Sequence, residues 1–257
     1  MLEQRKFKKY LSYAVGEIIL IVVGILIALQ ISNYHEERKE RQRERQILVA
    51  LTHELDEDIA EIDDVVKGNT QLLEELDELL TLIASAPSDI RQQRNLYILS
   101  VKSTYWYLKV EFSNSTLAQL KLSGDFSLIQ DPAMVEKIHN YDQAVTACEF
   151  VYHMLTGYFH VLEDSQKDLL NLALAKRAYE FIEQDYMNML LPESEFEPLV
   201  QEGDYFSDHD PKALRDYYGD ILFYRTALNN TVLLSGRTQA MAVELRNMIR
   251  ERYDIRP

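Results

Sequence analysis

The sequence predicts an all-α fold, with one N-terminal transmembrane helix that continues into an extramembrane bundle of long antiparallel helices. Three observations predict it. An apolar run of 22 residues lies near the N-terminus and carries one charged side chain. Apolar residues then recur with a heptad period, which is typical of packed helices. The 257 residues include only 8 Gly and 6 Pro, too few for the turns of a β-sandwich.

The apolar run is Tyr10–Ile31, and its one charged residue is Glu17. A helix of about 20 residues crosses the ~30 Å hydrocarbon layer of a bilayer. We therefore expect a basic tail at 1–9, a transmembrane helix at 10–34 and an acidic helical-bundle domain at 35–257. A cleaved signal peptide and a buried core helix are the alternatives. No small-residue cleavage site follows the run, and residues 18–31 without a charge would make a poor soluble surface.

Orientation in the membrane rests on the flanking charges. Four basic side chains precede the span and five follow closely, so the positive-inside rule is nearly balanced. A short basic tail is hard to move across against the membrane potential, which favours a cytoplasmic N-terminus. The body, with 18 basic and 36 acidic side chains in residues 51–257, would then lie outside the cytoplasm, in the periplasm.

One stripe of the span predicts self-association. Glu17, Ile21, Gly24, Ala28 and Ile31 follow the i, i+4, i+7 spacing of a single helix face. Gly24 and Ala28 form a small-xxx-small pair, which lets two helix backbones approach closely, and a carboxyl group in lipid favours a partner. We expect a homo-oligomeric contact here, with a polar path through the membrane as a further reading. The alternative is that Glu17 reaches the interface and Gly24 is incidental.

A second stripe follows the span as a heptad seam, which indicates a coiled coil or packing within the domain. Asp58 and Asn69 interrupt it and Gly68 lies beside it, which favours packing within the domain. We expect one helix from about residue 8 to residue 66, continuous with the span. The seam residues are Leu48, Leu51, Leu55, Ile62, Val65, Leu72, Leu76 and Leu79.

The later elements are predicted from their ends. After a break at 86–89, a helix capped by Ser88 is expected to run to about Leu108, although the alternation over 105–112 also suits a strand. A short helix capped by Asn114 or Ser115 ends at Gly124. The segment 132–190 forms one long helix or two. The loop 192–211 leads to a last helix ending near residue 253, and both Asp-Pro pairs, at 131–132 and 210–211, begin helices.

Two segments carry a distinctive pattern: YAVGEIILIVVGILIALQISNYHEERKE (Tyr13–Glu40) and LAQLKLSGDFSLIQDPAMVEKIHNYD (Leu117–Asp142). Together they resemble a family of uncharacterised single-pass membrane proteins that is common in Bacteroidota. Tyr34-His35 stands where that family often has Trp-Asn. The resemblance implies a Gram-negative cytoplasmic (inner) membrane, no known cofactor and no catalytic residues.

Candidate chemistry is sparse. The chain lacks a phosphate loop, a nucleophile elbow and a zinc-protease motif. Its single cysteine, Cys148, excludes an internal disulfide and a Cys-based zinc or iron–sulfur site. The net charge of −15 argues against nucleic acid. Weak metal-site patterns occur at Glu136/His139, at Glu149, His153, His160 and Asp164, and at 208–210.

We therefore predict no catalysis, cofactor or metal. The leading hypothesis is a membrane-anchored helical scaffold of the bacterial envelope that associates with itself and binds an unidentified membrane protein. The alternatives are an extracytoplasmic sensory or ligand-binding module and, third, a metal-dependent enzyme.

Overall fold

The computed structural model describes residues 2–85 and 90–255, with the side chains of 16, 17, 20–85 and 91–255. Over these residues the fold is all-helical and has no strand, as predicted. The α-helices are α1 (Leu2–Ala84), α2 (Ile90–Ser103), α3 (Ser115–Ser123), α4 (Pro132–Leu169), α5 (Lys176–Gln184), α6 (Glu193–Phe196) and α7 (Pro211–Tyr253). Short 3-10 turns lie at Asp125–Leu128, Leu172–Ala175, Tyr186–Leu190 and Glu197–Leu199.

Helix α1 is unbroken from residue 2 to residue 84, which corresponds to about 125 Å at 1.5 Å per residue. It is longer than predicted, because the seam interruptions do not end it. Burial against the body begins at Glu44 and Leu48, and residues 20–43 are exposed. The break predicted at 86–89 and its Ser88 cap lie outside the described residues.

Among the residues that the structure describes, none of the helices contains a segment whose length and hydropathy suit a membrane span. The structure therefore gives no support to the transmembrane helix expected at 10–34. The side chains of residues 10–15, 18 and 19 are outside the described set.

Helix α7 lies antiparallel to α1. Arg225 pairs with Asp77, at 2.8 Å, and Arg250 with Asp56, at 2.5 Å, so residue numbers rise along one helix as they fall along the other. Gln239 reinforces this register by donating to the carbonyl oxygen of Ile59.

Helix α7 is also antiparallel to α4. The Cys148 thiol lies 3.2 Å from the Thr238 hydroxyl, and Ser165 donates to Asp220. Since α7 opposes both neighbours, α1 and α4 run in the same direction. The predicted antiparallel order with short connections is therefore wrong for this pair, whose ends are joined by the long connection 85–131.

The predicted helix starts at 132 and 211 are confirmed. The Asp131 side chain accepts a hydrogen bond from the backbone N–H of Ala133, and the Asp210 side chain accepts one from Lys212. Gly124 ends α3 with a φ of 72°, a left-handed conformation that glycine adopts without strain, also as predicted.

One predicted helix end is wrong, and one alternative that the sequence left open is decided. Helix α2 stops at Ser103 rather than near Leu108. The long segment after Pro132 breaks at Leu170, where the Leu169 carbonyl oxygen accepts from Ser207 at 2.8 Å instead of continuing a helical ladder. Both ends are decided by contacts with distant parts of the chain.

Residues 104–114, which we call the extended segment, lie between α1 and α4. Leu108 and Val110 are buried, whereas Lys109 and Glu111 are exposed. Asn69 binds the backbone of Leu108, and Asp58 binds that of Ser113. Leu108 and Ser113 are five positions apart in the segment, and their partners Asn69 and Asp58 are eleven positions apart on α1, a distance of about 16 Å. The segment therefore rises by about 3.3 Å per residue, as a β-strand does.

Side chains of α1 take the place of a strand partner for this segment. Asn69 accepts from the N–H of Leu108 at 2.9 Å and donates to its carbonyl oxygen at 2.8 Å. Asp58 accepts from the N–H of Ser113 at 2.7 Å, and Glu61 from that of Glu111 at 2.6 Å. At buried Leu108 these bonds pair backbone groups that burial would otherwise leave unpaired, whereas the bonds at Ser113 and Glu111 lie nearer the surface.

The same helix caps α3. Glu54 accepts from the N–H of Thr116 at 2.9 Å, whereas the Asn114 side chain makes no capping hydrogen bond. Glu44, which precedes Glu54 on α1, accepts a hydrogen bond from the N–H of Gln130 at 3.1 Å. Asn114 occupies the predicted N-cap position, but Glu54 rather than the Asn114 side chain supplies the capping acceptor.

Gly68 lets the extended segment lie directly on α1. It is buried, and a Cβ at this position would overlap the side chain of Leu108 and approach that of Leu190 to 3.2 Å. The adjacent Asn69 holds the Leu108 backbone at the same level of the helix. Gly68 therefore leaves the space that the Leu108 side chain occupies, and Asn69 binds the Leu108 backbone beside it.

Replacing Asn69 by alanine is expected to lower the free energy of unfolding by about 3 kcal/mol, because two buried backbone groups of Leu108 lose their partners. Urea titration of the full chain in nonionic detergent, followed by circular dichroism, measures this change. Thr70→Ala, one position away on the exposed side, is the control and should change it by less than about 0.5 kcal/mol. Equal effects of the two substitutions would contradict the role of Asn69.

Candidate functional site

A groove with a volume of about 1050 Å³ lies where the extended segment crosses between α1 and α4. One wall is the face of α1 from Glu57 to Val65. The floor is the segment 106–111, and the other wall combines residues 156–160 of α4 with the turn at Tyr186 and Met187. Four separate parts of the chain therefore build one concave surface.

The floor and far wall of the groove are aromatic and apolar. The Tyr107 hydroxyl lies 2.6 Å from that of Thr156, and its ring packs edge-on against Phe159 with centroids 5.8 Å apart. Trp106 is 49% exposed, Tyr186 54% and Met187 42%. Large apolar side chains exposed together in a concavity are typical of a binding surface.

The rim is mainly acidic. Glu57, Glu61 and Asp64 line the α1 side, and Glu111 lies on the extended segment. Lys109 forms an ion pair with Glu111, at 3.2 Å. The α1 carboxylates keep a net negative charge beside the aromatic floor.

His160 lies on the α4 wall of the groove. Its Nδ1 atom lies 3.4 Å from a carboxylate oxygen of Glu163 on the same helix. This contact lies along α4 and not across the groove, so His160 does not offset the carboxylates of the opposite wall.

Asp58, next to the rim, is a buried carboxylate with 1% of its surface exposed. It accepts hydrogen bonds from the Tyr141 hydroxyl and from the N–H of Ser113. Burial raises the pKa of Asp58 above its ordinary value more than these hydrogen bonds lower it, and the charges of Glu54 and Glu61 raise it further. Burial and the nearby Asp58 also raise the pKa of Tyr141.

The stripe predicted for self-association lies on the projecting part of α1. Ile21 is 56% exposed and Ile31 is 55% exposed; Glu17, Gly24 and Ala28 are also exposed. A Cβ on Gly24 would meet no other atom within 4 Å. The stripe contacts no other part of the described chain at these residues, so the fold leaves it open to a partner.

The seam residues all lie in the core. Leu48, Leu51 and Leu55 pack with α3, the start of α4 and the end of α7. The later seam residues pack with α2, the second half of α4 and the first half of α7. They are Leu48, Leu51, Leu55, Ile62, Val65, Leu72, Leu76 and Leu79.

The weak metal-site patterns do not converge. Among the described residues, no group of three His, Cys, Asp or Glu side chains could hold a metal ion. His139 lies 2.8 Å from the Gln143 amide, and His209 contacts Asp204 at 3.0 Å. Asp210 caps α7. The motif at 208–210 thus serves the loop and the helix start.

The groove itself was not predicted from the sequence. Two signals pointed towards it: the alternating burial pattern over 105–112, which suits extended chain, and the polar interruptions of the seam at Asp58 and Asn69. The far wall could not be predicted, because Tyr186 and Met187 are distant from Trp106 in the sequence and line the same groove only through the turn that follows α5.

The raised pKa of Asp58 predicts a pH dependence of stability. Its proton binds the folded state more readily than the unfolded state, so the free energy of unfolding rises as the pH falls through the folded-state pKa. Relative to Asp58→Asn, which removes this titration, the wild type should gain stability as the pH falls from neutrality through the folded-state pKa of Asp58. Urea titrations of both proteins across this range measure the difference; a difference that stays constant with pH would contradict the assignment.

Residues 17–124 match a family of unknown function (DUF6090). The match includes most of α1, all of α2, the extended segment and α3, and thus the side chains of α1 that hold the segment. No curated protein and no solved structure matches the chain. The similarity therefore covers one wall and the floor of the groove, whereas the α4 wall and the turn at 186–187 lie beyond the matched residues.

Proposed function

We propose that this chain is a non-catalytic, membrane-anchored helical protein of the bacterial envelope that self-associates and binds a partner protein through its acidic body. The observation that carries the proposal is the continuity of α1, which joins an exposed apolar segment to the packed body without a break. Such a helix would hold the body and its groove at a fixed distance from the membrane that we propose surrounds the apolar segment.

The apolar segment supports a membrane anchor. Nine large apolar side chains between Leu20 and Ile31 have exposed fractions from 47% to 76%, and they face all sides of the helix. Burying each one is worth about 1.5–3 kcal/mol, so water is a poor environment for this stretch. Ile18 and Ile19 extend the run in the sequence. A bilayer covers every side of such a helix at once.

The proposed setting is the bacterial cytoplasmic membrane, with a single span and the body in the periplasm. The short basic tail before the span and the strong negative charge of residues 51–257 support this orientation. Protease added to spheroplasts would digest the body if it is periplasmic and leave it intact if it is cytoplasmic.

Arginine at both Val23 and Leu26 is expected to release the full chain from membranes, because each charge at the centre of a span costs about 2.5–3.5 kcal/mol. Carbonate extraction followed by ultracentrifugation measures the membrane-bound fraction. The double variant Gln42→Arg/Gln46→Arg adds the same charge beyond the apolar segment and should remain in the pellet. Release of the wild type into the supernatant would overturn the anchor.

Gly24→Ile is expected to lower the crosslinked dimer fraction several-fold, because its side chain separates helices that meet through the Gly24–Ala28 pair. Gly16→Ile is the matched control, since Gly16 is also exposed but lies about 100° away from the centre of the stripe. Crosslinking in native membranes, read on denaturing gels, reports both. Monomer alone from the wild type would contradict self-association.

The groove favours a second candidate function, a ligand-binding or sensory module. Its volume of about 1050 Å³ is at the upper end of small-molecule sites. The segment that lines it is bound to α1, so a ligand that moved the segment would act on the helix that leads to the membrane. A thermal-shift screen of the full chain, in which a small molecule raises the melting temperature of the wild type, would support this function.

A further inference from the structure

We propose that the groove binds a basic, apolar peptide segment of a partner protein. The cationic side chains of that segment would lie along the carboxylates of α1, and its apolar side chains would lie on Trp106, Tyr186 and Met187. This inference rests on the partner-binding part of the proposed function, and it adds the site and the chemistry of the partner.

The charge of the rim selects a basic occupant. Glu57, Glu61 and Asp64 follow one another at i, i+4 and i+7, and thus form a row along one side of α1. Glu57 and Asp64 are exposed, and Glu57 also accepts a hydrogen bond from the Ser113 hydroxyl, at 3.1 Å. Lys109 is already paired with Glu111. A ligand with several positive charges would complement this row, and an acidic one would be repelled.

The floor selects an apolar component. Trp106 exposes 49% of its surface, and Tyr186, on the opposite wall, exposes 54%. Aromatic faces also attract cations that lie above them, so Lys or Arg stems that reach across the rim would gain both contacts. A purely polar polycation would leave the apolar surface of Met187 and the two rings uncovered.

The length of the acidic row favours a peptide over a small cation. Seven helical residues separate Glu57 from Asp64, a span of about 10 Å. A single ammonium group could contact one end of that row, whereas a short peptide could place several cationic side chains along its whole length. The groove, with a volume of about 1050 Å³, is also partly open to solvent.

The groove is preformed, which lowers the cost of binding. The segment 106–111 is held by Asn69 and Glu61 from one side and by the contact between Tyr107 and Thr156 from the other. A bound peptide would therefore pay mainly for its own ordering, because the protein surface needs little rearrangement.

Trp106 provides the readout, since it is the single tryptophan of the chain and lies in the groove. The full chain in nonionic detergent is titrated with a short capped peptide made of Leu and Lys, and Trp106 fluorescence is followed against a blank of peptide and micelles. We expect a saturable change. A peptide of Leu and Glu with the same pattern, and one of Ser and Lys, should each bind at least about tenfold more weakly.

Matched variants locate the binding. Glu57→Gln with Asp64→Asn should weaken the Leu–Lys peptide about tenfold, the effect of removing two partly solvated charges. Glu74→Gln with Glu251→Gln removes the same charge at exposed positions outside the groove and should change the affinity less than about twofold. Circular dichroism checks that both double variants keep the helical content of the wild type.

Three results would overturn the inference: no saturable change with the Leu–Lys peptide, equal weakening in the two double variants, or equal binding of the Leu–Glu peptide. A saturable change with tetraethylammonium that displaces the peptide would instead identify a small-cation site and would also overturn it. Carbonate extraction and crosslinking are read independently of Trp106, so a failure at the groove is distinguishable from a failure of anchoring or self-association.

Discussion

Backbone that is buried without a helical or strand partner needs hydrogen bonds from side chains, and the extended segment is held in this way. Asn69 satisfies both backbone groups of Leu108, and Asp58 and Glu61 accept from Ser113 and Glu111. Without Asn69, each of the two buried backbone groups of Leu108 would cost about 1–3 kcal/mol. The position of the segment, and with it the shape of the groove, depends on this set of polar contacts from one face of α1.

The same helix explains why the groove is acidic. Successive residues of a helix are turned by about 100°, so Asp58 faces the extended segment while Glu57 lies on the rim. The face of α1 that offers acceptors to the extended segment therefore lies beside the face that carries the rim carboxylates. Part of the excess of acidic residues in the body thus has a structural role, since Glu44 and Glu54 also accept from backbone N–H groups. On the rim, Glu57 and Asp64 are exposed, and Glu57 accepts a hydrogen bond from the Ser113 hydroxyl at 3.1 Å.

Local signals in the sequence predicted the elements that depend on local chemistry. The Asp-Pro pairs at 131 and 210 begin helices, because a carboxylate can cap its own helix and proline suits the first turn. Gly124 ends a helix for an equally local reason. The end of α2 at Ser103 was not predicted, and the break in the segment 132–190 was left open, because the break at Leu170 depends on a hydrogen bond with Ser207, far along the chain. The interruptions of the seam at Asp58 and Asn69 correctly favoured packing within the domain, but they did not predict that these side chains bind the backbone of the extended segment.

The sequence by itself determined the all-helical class, the two Asp-Pro helix starts and the left-handed turn at Gly124, since each depends on side chains within a few residues. Only the tertiary structure decided that α1 and α4 run in the same direction, that 104–114 is extended and that Trp106 and Tyr186 line one groove. The physical reason is that these features depend on pairing between backbone groups and side chains about 40 to 120 residues apart, such as Asn69 with Leu108 and Gln71 with Leu190. Hydrophobic periodicity reports which face of a helix is buried, and it carries no information on which distant segment buries it.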